Sequence, residues 1–259
     1  MKYFLWLFIL LYSVTISSQS NNDSIRIGNL NEIKELDELI QKWPTATNFY
    51  YRGYSYFNIK AYQNALSDYN KAIELDSTNF DYFFSRGKLK EAVKDYRGAV
   101  LDYSKCIALN EKSYKAYYNR AFAKSNYIDL YGAIDDYTKC ITLNPGNETA
   151  YLNRGIIKAQ KHLHQEAIAD FDKAIGINAT FVDALQNRAI SKAMLNQSDA
   201  LTDFDLVIKL SPKNGEAHYN RALHIINFKL KQDYCFDLKK AIEFGFEPAL
   251  KLVKQYCKI

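Results

Sequence analysis

Six arginines recur along the chain, and an aspartate follows each of them at nearly constant distance. The arginines are 34 residues apart as far as Arg188, and Arg221 follows after 33. The pairs are Arg52 and Asp68, Arg86 and Asp102, Arg120 and Asp136, Arg154 and Asp170, Arg188 and Asp203, and Arg221 and Asp237. Because a guanidinium can bind a carboxylate through two parallel hydrogen bonds, these residues could form structural ion pairs. The arginines could instead bind an anionic ligand. We favour ion pairs, since the aspartate recurs as regularly as the arginine.

Small and aromatic residues keep the same spacing and indicate the elements that carry these pairs. A small residue follows each arginine, at Gly53, Gly87, Ala121, Gly155, Ala189 and Ala222. An aromatic residue recurs further along each of the first five units, at Tyr69, Tyr103, Tyr137, Phe171 and Phe204, and Leu238 takes its place in the last. In residues 61–75, apolar side chains recur every three or four positions, which predicts an amphipathic helix. We predict that each unit consists of two helices, of which residues 61–75 form the second in the first unit. One residue is deleted between Ala189 and Ala200, and we expect this deletion to shorten the turn between the two helices of that unit.

A helix–turn–helix period of 34 residues with these small and aromatic positions resembles the tetratricopeptide repeat (TPR). The resemblance implies an all-α fold, a right-handed α-solenoid of about six repeats, capped by a helix at each end. The predicted repeat array spans 46–245, with units at 46–79, 80–113, 114–147, 148–181, 182–214 and 215–245. Residues 19–45 are predicted to be a linker and an N-terminal capping helix, and 246–259 a C-terminal capping helix.

In the family that the chain resembles, the first helix of each unit lines the concave groove. Asparagine amides can bind an extended peptide backbone, and aromatic rings give flat contact area at low entropic cost. The candidate peptide-binding residues are Tyr50, Tyr54, Phe84, Lys88, Tyr118, Asn119, Phe122, Asn153, Asn187, Tyr219 and Asn220. Alternatively, the aromatic residues pack between helices. The row formed by Asn153, Asn187 and Asn220 is the clearer candidate.

The four cysteines fall into two classes. Cys106 and Cys140 occupy a small packing position in successive units and are predicted to be buried thiols. Cys235 and Cys257 reach the same level if the last two helices fold back on each other as a hairpin. In an oxidising compartment, a disulfide between them would fix the C-terminal cap.

The N-terminal segment has the layout of a secretory signal peptide, predicted to span 1–18. Lys2 precedes an apolar run, and small polar residues follow it. A retained membrane anchor is the alternative. The C-terminal segment also resembles the ending of exported repeat proteins of the Bacteroidetes. We therefore expect an exported protein that is periplasmic, associated with the outer membrane, or extracellular.

No motif indicates catalysis, a cofactor or a metal site. The chain has no glycine-rich phosphate loop and no HExxH sequence, and His162 and His164 have only Glu166 as a nearby ligand. A formal net charge of +5, spread along the chain, does not favour nucleic-acid binding. We expect a non-catalytic scaffold that holds a peptide or a partner protein in its groove. The alternative is a structural subunit of a larger cell-envelope complex that uses its convex face or its ends.

Overall fold

The computed structural model describes residues 25–257, and within this range it contains helices and no strands. The predicted all-α fold, built from successive helix pairs, is confirmed. The chain divides into two compact units, with the boundary between Tyr127 and Ile128. The proposed signal peptide at 1–18 lies outside the described residues. No helix among the described residues is long and apolar enough to span a membrane.

Within residues 25–127, the first compact unit contains six helices. The described residues 25–42 form α1, which is followed by α2 (Ala46–Asn58), α3 (Tyr62–Leu75), α4 (Phe80–Ala92), α5 (Tyr96–Leu109) and α6 (Tyr114–Asn126). From α2 onward each helix packs against the next, and α2 also contacts α4. Helix α1 is joined to α2 because Ser55 Oγ donates a hydrogen bond to Glu32 Oε2 at 2.6 Å.

Within residues 128–257, the second compact unit contains eight helices. They are α7 (Leu130–Leu143), α8 (Glu148–Gln160), α9 (His164–Ile177), α10 (Val182–Met194), α11 (Ala200–Leu210), α12 (Gly215–Asn227), α13 (Tyr234–Glu243) and α14 (Ala249–Tyr256). Consecutive helices pack against each other, and the first helices of neighbouring repeats, α8, α10 and α12, also touch.

Short polar side chains begin many of these helices. Asn147 accepts a hydrogen bond from the backbone N–H of Ala150 at the start of α8, and Asn214 does the same for Ala217 at the start of α12. Each such cap satisfies one of the N–H groups that a helix leaves unpaired at its start. Asn147 and Asn214 are therefore the last residues of their own repeats and also cap the first helix of the next repeat.

The turn inside every repeat contains one residue in the left-handed conformation, eight residues after the arginine. None of these residues is glycine; they are Lys60, Lys94, Ile128, His162, Asn196 and Lys229, with φ between 52° and 72°. In the repeats whose two helices lie in one compact unit, the left-handed residue reverses the chain so that the second helix packs back on the first.

The core follows the small and aromatic positions of the repeat. The fully buried side chains include the alanines at the start of the second helices, namely Ala65, Ala99, Ala133, Ala167 and Ala200. The large buried rings are Tyr69, Tyr103, Tyr137, Phe171 and Phe204. Small residues let the helix axes approach, and the ring fills the space beside them.

The expectation for the deleted residue in the fifth repeat was wrong. Helix α11 has 11 residues, whereas α9 has 14, and the segment between α10 and α11 is longer than the one between α8 and α9. The deletion is absorbed by the first turn of α11. Lys192 Nζ binds the carboxylate of Asp199 there, at 2.8 Å, and holds the shortened end of the helix.

A disulfide joins the last two helices. Cys235 of α13 is bonded to Cys257, which follows α14, and their Cα atoms are 5.7 Å apart. Ala249 of α14 packs in the same buried cluster as Leu238 and Ala241 of α13.

Cys106 and Cys140 are buried and free, and burial raises the pKa of their thiols to about 12 and about 11.

Candidate functional site

The repeated arginine of each helix pair is bound to the aspartate of the same repeat. In the fifth repeat, Arg188 Nε donates to Asp203 Oδ2 at 2.8 Å, and Nη2 donates to Oδ1 at 2.6 Å. This bidentate geometry recurs between Arg52 and Asp68, Arg86 and Asp102, Arg154 and Asp170, and Arg221 and Asp237. These aspartates are at most 4% exposed, so each carboxylate depends on its arginine.

The third nitrogen of each arginine reaches back to the preceding helix. The acceptor lies 16 residues before the arginine, or 15 before Arg52. The acceptor residues are Asp37, Asn70, Ser104, Thr138, Asp172 and Asp205, at N–O distances of 2.6–3.0 Å. In the repeats other than the third, one guanidinium therefore ties together three helices, two of its own repeat and one that precedes it.

The remaining pair of the series is split by the boundary between the two compact units. Arg120 lies in α6 of the first unit and Asp136 is buried in α7 of the second. Within the first unit, Arg120 Nη1 donates to Ser104 Oγ at 3.0 Å.

Lysines four residues after the arginine add a second cation to several aspartates. Lys90 binds Asp102, Lys158 binds Asp170, and Lys192 binds Asp203, at 2.8–3.1 Å. For Arg188, burial lowers the pKa, but the hydrogen bonds to Asp203 and Asp172 outweigh it and the net shift is upward. In these repeats all three nitrogen atoms of the guanidinium donate hydrogen bonds to other side chains of the protein.

The candidate groove residues of the first unit differ in how much of their surface is available. Tyr50 packs among Tyr69 and Tyr82, with ring centroids at 6.0 and 5.0 Å, and Phe84 packs against Phe80 and Tyr103. Both therefore contribute to helix packing. The exposed candidates are Tyr54, Lys88 and Phe122, and the half-buried ones are Tyr118 and Asn119. The Nδ2 atom of Asn119 donates to the carbonyl oxygen of Lys115 in its own helix.

The second unit places three candidate asparagines at the same position of three contacting helices. Asn153 in α8, Asn187 in α10 and Asn220 in α12 each precede the arginine of their repeat and are half-buried. Asn187 Nδ2 donates to the carbonyl oxygen of Asp183 at 2.8 Å, which fixes the orientation of the amide. The ring of Tyr219 packs against the ring of Phe246 at an interplanar angle of 45°, with ring centroids 4.9 Å apart, and belongs to the packing of the C-terminal helices.

A pocket lies between α10 and α12, next to Asn220, and it was not predicted from the sequence. The pocket has a volume of about 150 Å³ and is lined by Ile190, Ala193, Met194, Asn196, Phe204, Asn220, Leu223, His224, Asn227 and Phe228. One lining residue, His224, nevertheless departs from the pattern of the other repeats. The position three residues after the arginine holds Ser55, Leu89, Ala123, Ile157 and Ser191 in the other repeats, and a histidine in the last.

The described residues offer no metal centre. In 25–257, no three or more histidine, cysteine, aspartate or glutamate side chains are arranged to hold a metal ion.

The paired helices and the arginine that links three of them define the class of helical-repeat proteins. The family model of the tetratricopeptide repeat matches residues 46–79 and 148–181, so these two segments are tetratricopeptide repeats. A comparison with curated protein sequences found no match.

Solved structures of TPR proteins have the same fold. The C-terminal part of a TPR repeat-containing protein from Cytophaga hutchinsonii superimposes with a TM-score of 0.74 at 16% identity, covering 93% of this chain and 99% of that one. A TPR protein from Parabacteroides merdae gives 0.60 at 18% identity, covering 91% and 98%. YrrB, described as a TPR protein with an unusual peptide-binding site, gives 0.63 at 21% identity, covering 72% and 97%. At these identities the likeness concerns the fold alone.

Proposed function

We propose that the chain is a non-catalytic scaffold that binds an extended peptide segment of a partner protein across α8, α10 and α12. The observation that carries the proposal is the row of Asn153, Asn187 and Asn220 at one position of three contacting helices. The arginines beside them bind the aspartates of the ion pairs, and the asparagines are a second polar group that repeats along this face.

The amide of Asn187 is oriented for this role. Its Nδ2 atom donates to the preceding turn of α10, and no described residue donates to its Oδ1 atom. Oδ1 is therefore available to accept a hydrogen bond from a peptide N–H. Because the amide is already held by its own helix, little rotamer entropy is lost when it binds.

The spacing of the row suits an extended ligand. Packed helices lie about 8–10 Å apart. A peptide in the polyproline II conformation repeats every three residues and advances about 9 Å in doing so. Successive asparagines would then meet equivalent backbone groups of the peptide, one per turn.

An apolar strip runs beside the asparagines. It consists of Ile156, Ile190 and Leu223, each three residues after an asparagine and half-buried. Residues three apart on a helix lie on the same face, so a peptide lying on the asparagine row also covers this strip. The face thus combines hydrogen-bonding groups with apolar surface, as peptide-binding grooves do.

We also propose that the protein is exported. The disulfide between Cys235 and Cys257 supports this location, because such bonds persist in oxidising compartments and are rare in the cytosol.

Selection from a random peptide library, with the purified chain as bait, tests the groove. We expect selected peptides to bind the double variant Asn153→Ala/Asn187→Ala about tenfold more weakly, because two hydrogen bonds are lost. Gln165→Ala is the matched control, since it removes an exposed amide from α9, the second helix of the same repeat. If the wild type selects no peptides, or if the selected peptides bind the double variant as tightly as the control, the groove proposal is wrong.

A further inference from the structure

The lysines and arginines of α8, α10 and α12 are all bound inside the scaffold. They are Arg154, Lys158, Arg188, Lys192 and Arg221, and each binds a buried aspartate of the helix that follows its own. The structure describes these three helices in full, so no other lysine or arginine of theirs remains to meet a ligand.

The acidic residues at the start of α10 and α12 are not used in this way. Asp183 and Glu216 lie in the first turns of these helices and are exposed. Neither carboxylate forms an ion pair or a hydrogen bond with any residue that the structure describes. Although the chain carries a formal net charge of +5, the unpaired charges of these two helices are therefore negative.

Both carboxylates border the asparagine row. Asp183 stands four residues before Asn187, and Glu216 precedes Asn220 by the same distance. Residues four apart on a helix are neighbours on the same face. Asn187 Nδ2 donates to the carbonyl oxygen of Asp183 at 2.8 Å, so the amide lies over the turn that carries the carboxylate. The apolar strip lies on the other side of the row, because its residues follow the asparagines whereas the acids precede them.

A ligand at this border of the face has to supply hydrogen-bond donors. Carboxylate oxygens are acceptors, and so is Oδ1 of Asn187. A peptide N–H can satisfy the amide oxygen, whereas a carboxylate forms its strongest hydrogen bonds with an ammonium or a guanidinium group. An acidic peptide would instead place like charges side by side, which is unfavourable.

We propose that the peptide bound across these helices is basic, and that two of its lysine or arginine side chains, three residues apart, bind Asp183 and Glu216. Helices α10 and α12 are in contact, and packed helices lie about 8–10 Å apart. Three residues of a polyproline II peptide advance about 9 Å and return to the same side, so both cations reach their carboxylates together. This inference rests on the proposed function, because it assigns the charge of the ligand of the same groove.

An acid in the first turn of a helix also has a structural role, because negative charge is favourable at the start of a helix. Loss of that role would lower the stability of the protein in the absence of any peptide. It would not make the protein distinguish a basic ligand from an acidic one. The charge preference of binding therefore separates the two roles.

Three labelled peptides of nine residues test the charge preference by fluorescence anisotropy. PPKLPKLPP has two lysines three residues apart, PPELPELPP has glutamates in their place, and PPKLKPLPP has the composition of the first with its lysines two residues apart. We expect PPKLPKLPP to bind the wild type about tenfold more tightly than the glutamate peptide. It should bind about threefold more tightly than PPKLKPLPP, in which only one lysine at a time reaches a carboxylate.

Asp183→Asn/Glu216→Gln removes both charges and retains the shape of both side chains. We expect this variant to bind PPKLPKLPP about 3- to 10-fold more weakly, which is the range for two exposed ion pairs. Asp135→Asn/Glu247→Gln is the matched control, since it removes the same two charges from exposed positions of the second compact unit outside the three helices. The control should bind PPKLPKLPP as the wild type does.

The outcomes separate this inference from the groove proposal. Equal affinity of the wild type for PPKLPKLPP and PPELPELPP, or no binding of PPKLPKLPP, overturns the basic assignment even if library peptides depend on Asn153 and Asn187. Equal weakening in the two charge variants also overturns it, and equal binding of the two lysine peptides overturns the pairing of one lysine with each carboxylate. Binding of PPKLPKLPP that requires Asp183 and Glu216 but is unchanged in Asn153→Ala/Asn187→Ala supports the carboxylates and contradicts the asparagine row.

Discussion

Gly155 lies directly against the ring of Phe171. A Cβ atom at residue 155 would stand 2.6 Å from Cε1 of that ring, closer than such atoms approach in folded proteins. Gly53 and Gly87 face Tyr69 and Tyr103 in the same way. The helices of these repeats approach each other at the glycine, and the aromatic ring fills the contact.

Gly155→Ala should therefore destabilise the protein, by about 1–2 kcal/mol, because overpacking costs more than the helix gains from alanine. Gly176→Ala is the matched control in α9. A Cβ atom there meets nothing within 4 Å, so the same substitution should stabilise by up to about 1 kcal/mol. Urea unfolding monitored by circular dichroism measures both. Changes of equal sign would contradict the close contact at Phe171.

The two carboxylates that bind Arg188 should differ in their contribution to stability. Asp203 is buried and also binds Lys192, so Asp203→Asn should cost about 3 kcal/mol in the free energy of unfolding. Asp172 is 52% exposed, and Asp172→Asn should cost less than about 1 kcal/mol. Comparable losses in the two variants would show that burial does not set the strength of these pairs.

A half-buried carboxyl in α4 should make stability depend on pH. Burial raises the pKa of Glu91 to about 7, although Tyr103 and Lys88 act in the opposite direction. The unfolded chain ionises near pH 4.5, so the folded state should lose stability as pH rises from about 4.5 to about 7. Glu91→Gln should remove this loss and stabilise the protein at pH 8 by about 1–2 kcal/mol, less than the full shift because the group is partly hydrated.

Unfolding curves between pH 4.5 and pH 8 test this effect. Glu111→Gln, which changes an exposed glutamate of the same compact unit, is the control and should follow the wild type. Parallel curves for the wild type and Glu91→Gln across this range would rule out a titrating carboxyl at residue 91.

The left-handed turn residue of the third repeat should be strained. Ile128 has φ of 72° and a β-branched side chain, a combination that is unfavourable for steric reasons. Its side chain is 86% exposed, so Ile128→Gly loses no packing and should stabilise by about 1 kcal/mol. Asn196→Gly at the same turn position should have almost no effect, because asparagine tolerates this conformation. A thermal midpoint that is unchanged in Ile128→Gly would count against strain at the turn.

Reduction should loosen the C-terminal helices. The disulfide between Cys235 and Cys257 closes a loop of 22 residues, and its loss should cost about 3 kcal/mol of local stability. Amide hydrogen exchange in α13 and α14 should accelerate in Cys235→Ser/Cys257→Ser and remain unchanged in α9. Hydrogen exchange in α13 and α14 that is identical with and without the disulfide would refute the expected loss of local stability.

Cys106 and Cys140 should resist alkylation in the folded protein, because burial raises their thiol pKa values.

Part of the ion-pair arrangement could be predicted from the sequence. The arginine and the aspartate recur in every repeat, 16 residues apart or, for Arg188 and Asp203, 15 residues apart, because a bidentate, buried pair requires these two chemical groups. The acceptor of the preceding helix was missed because its residue type varies. A single N–H donor is satisfied by any oxygen, so a carboxylate, an amide or a hydroxyl can occupy the position, as Asp172, Asn70 and Ser104 do.

The candidate groove could be predicted less well. Position along the repeat identified Asn187 but did not show which aromatic residues pack internally, because Tyr50 and Phe84 differ from the exposed Tyr54 only in their neighbours. The burial of His224 depends on how α10, α11 and α12 enclose it, which the periodicity of the sequence does not show. The left-handed turn residues were also missed, since none of them is a glycine.

The bond from each arginine to the preceding helix makes the repeat suitable for duplication. If a second copy of residues 148–181 were inserted after residue 181, its Arg154 would stand 16 residues beyond the original Asp172. The copied Asp172 would in turn stand 16 residues before Arg188. The inserted segment would thus bring the arginine that bonds to the helix before it and the acceptor for the arginine that follows it. An array built in this way can lengthen by whole repeats without a new kind of junction having to evolve.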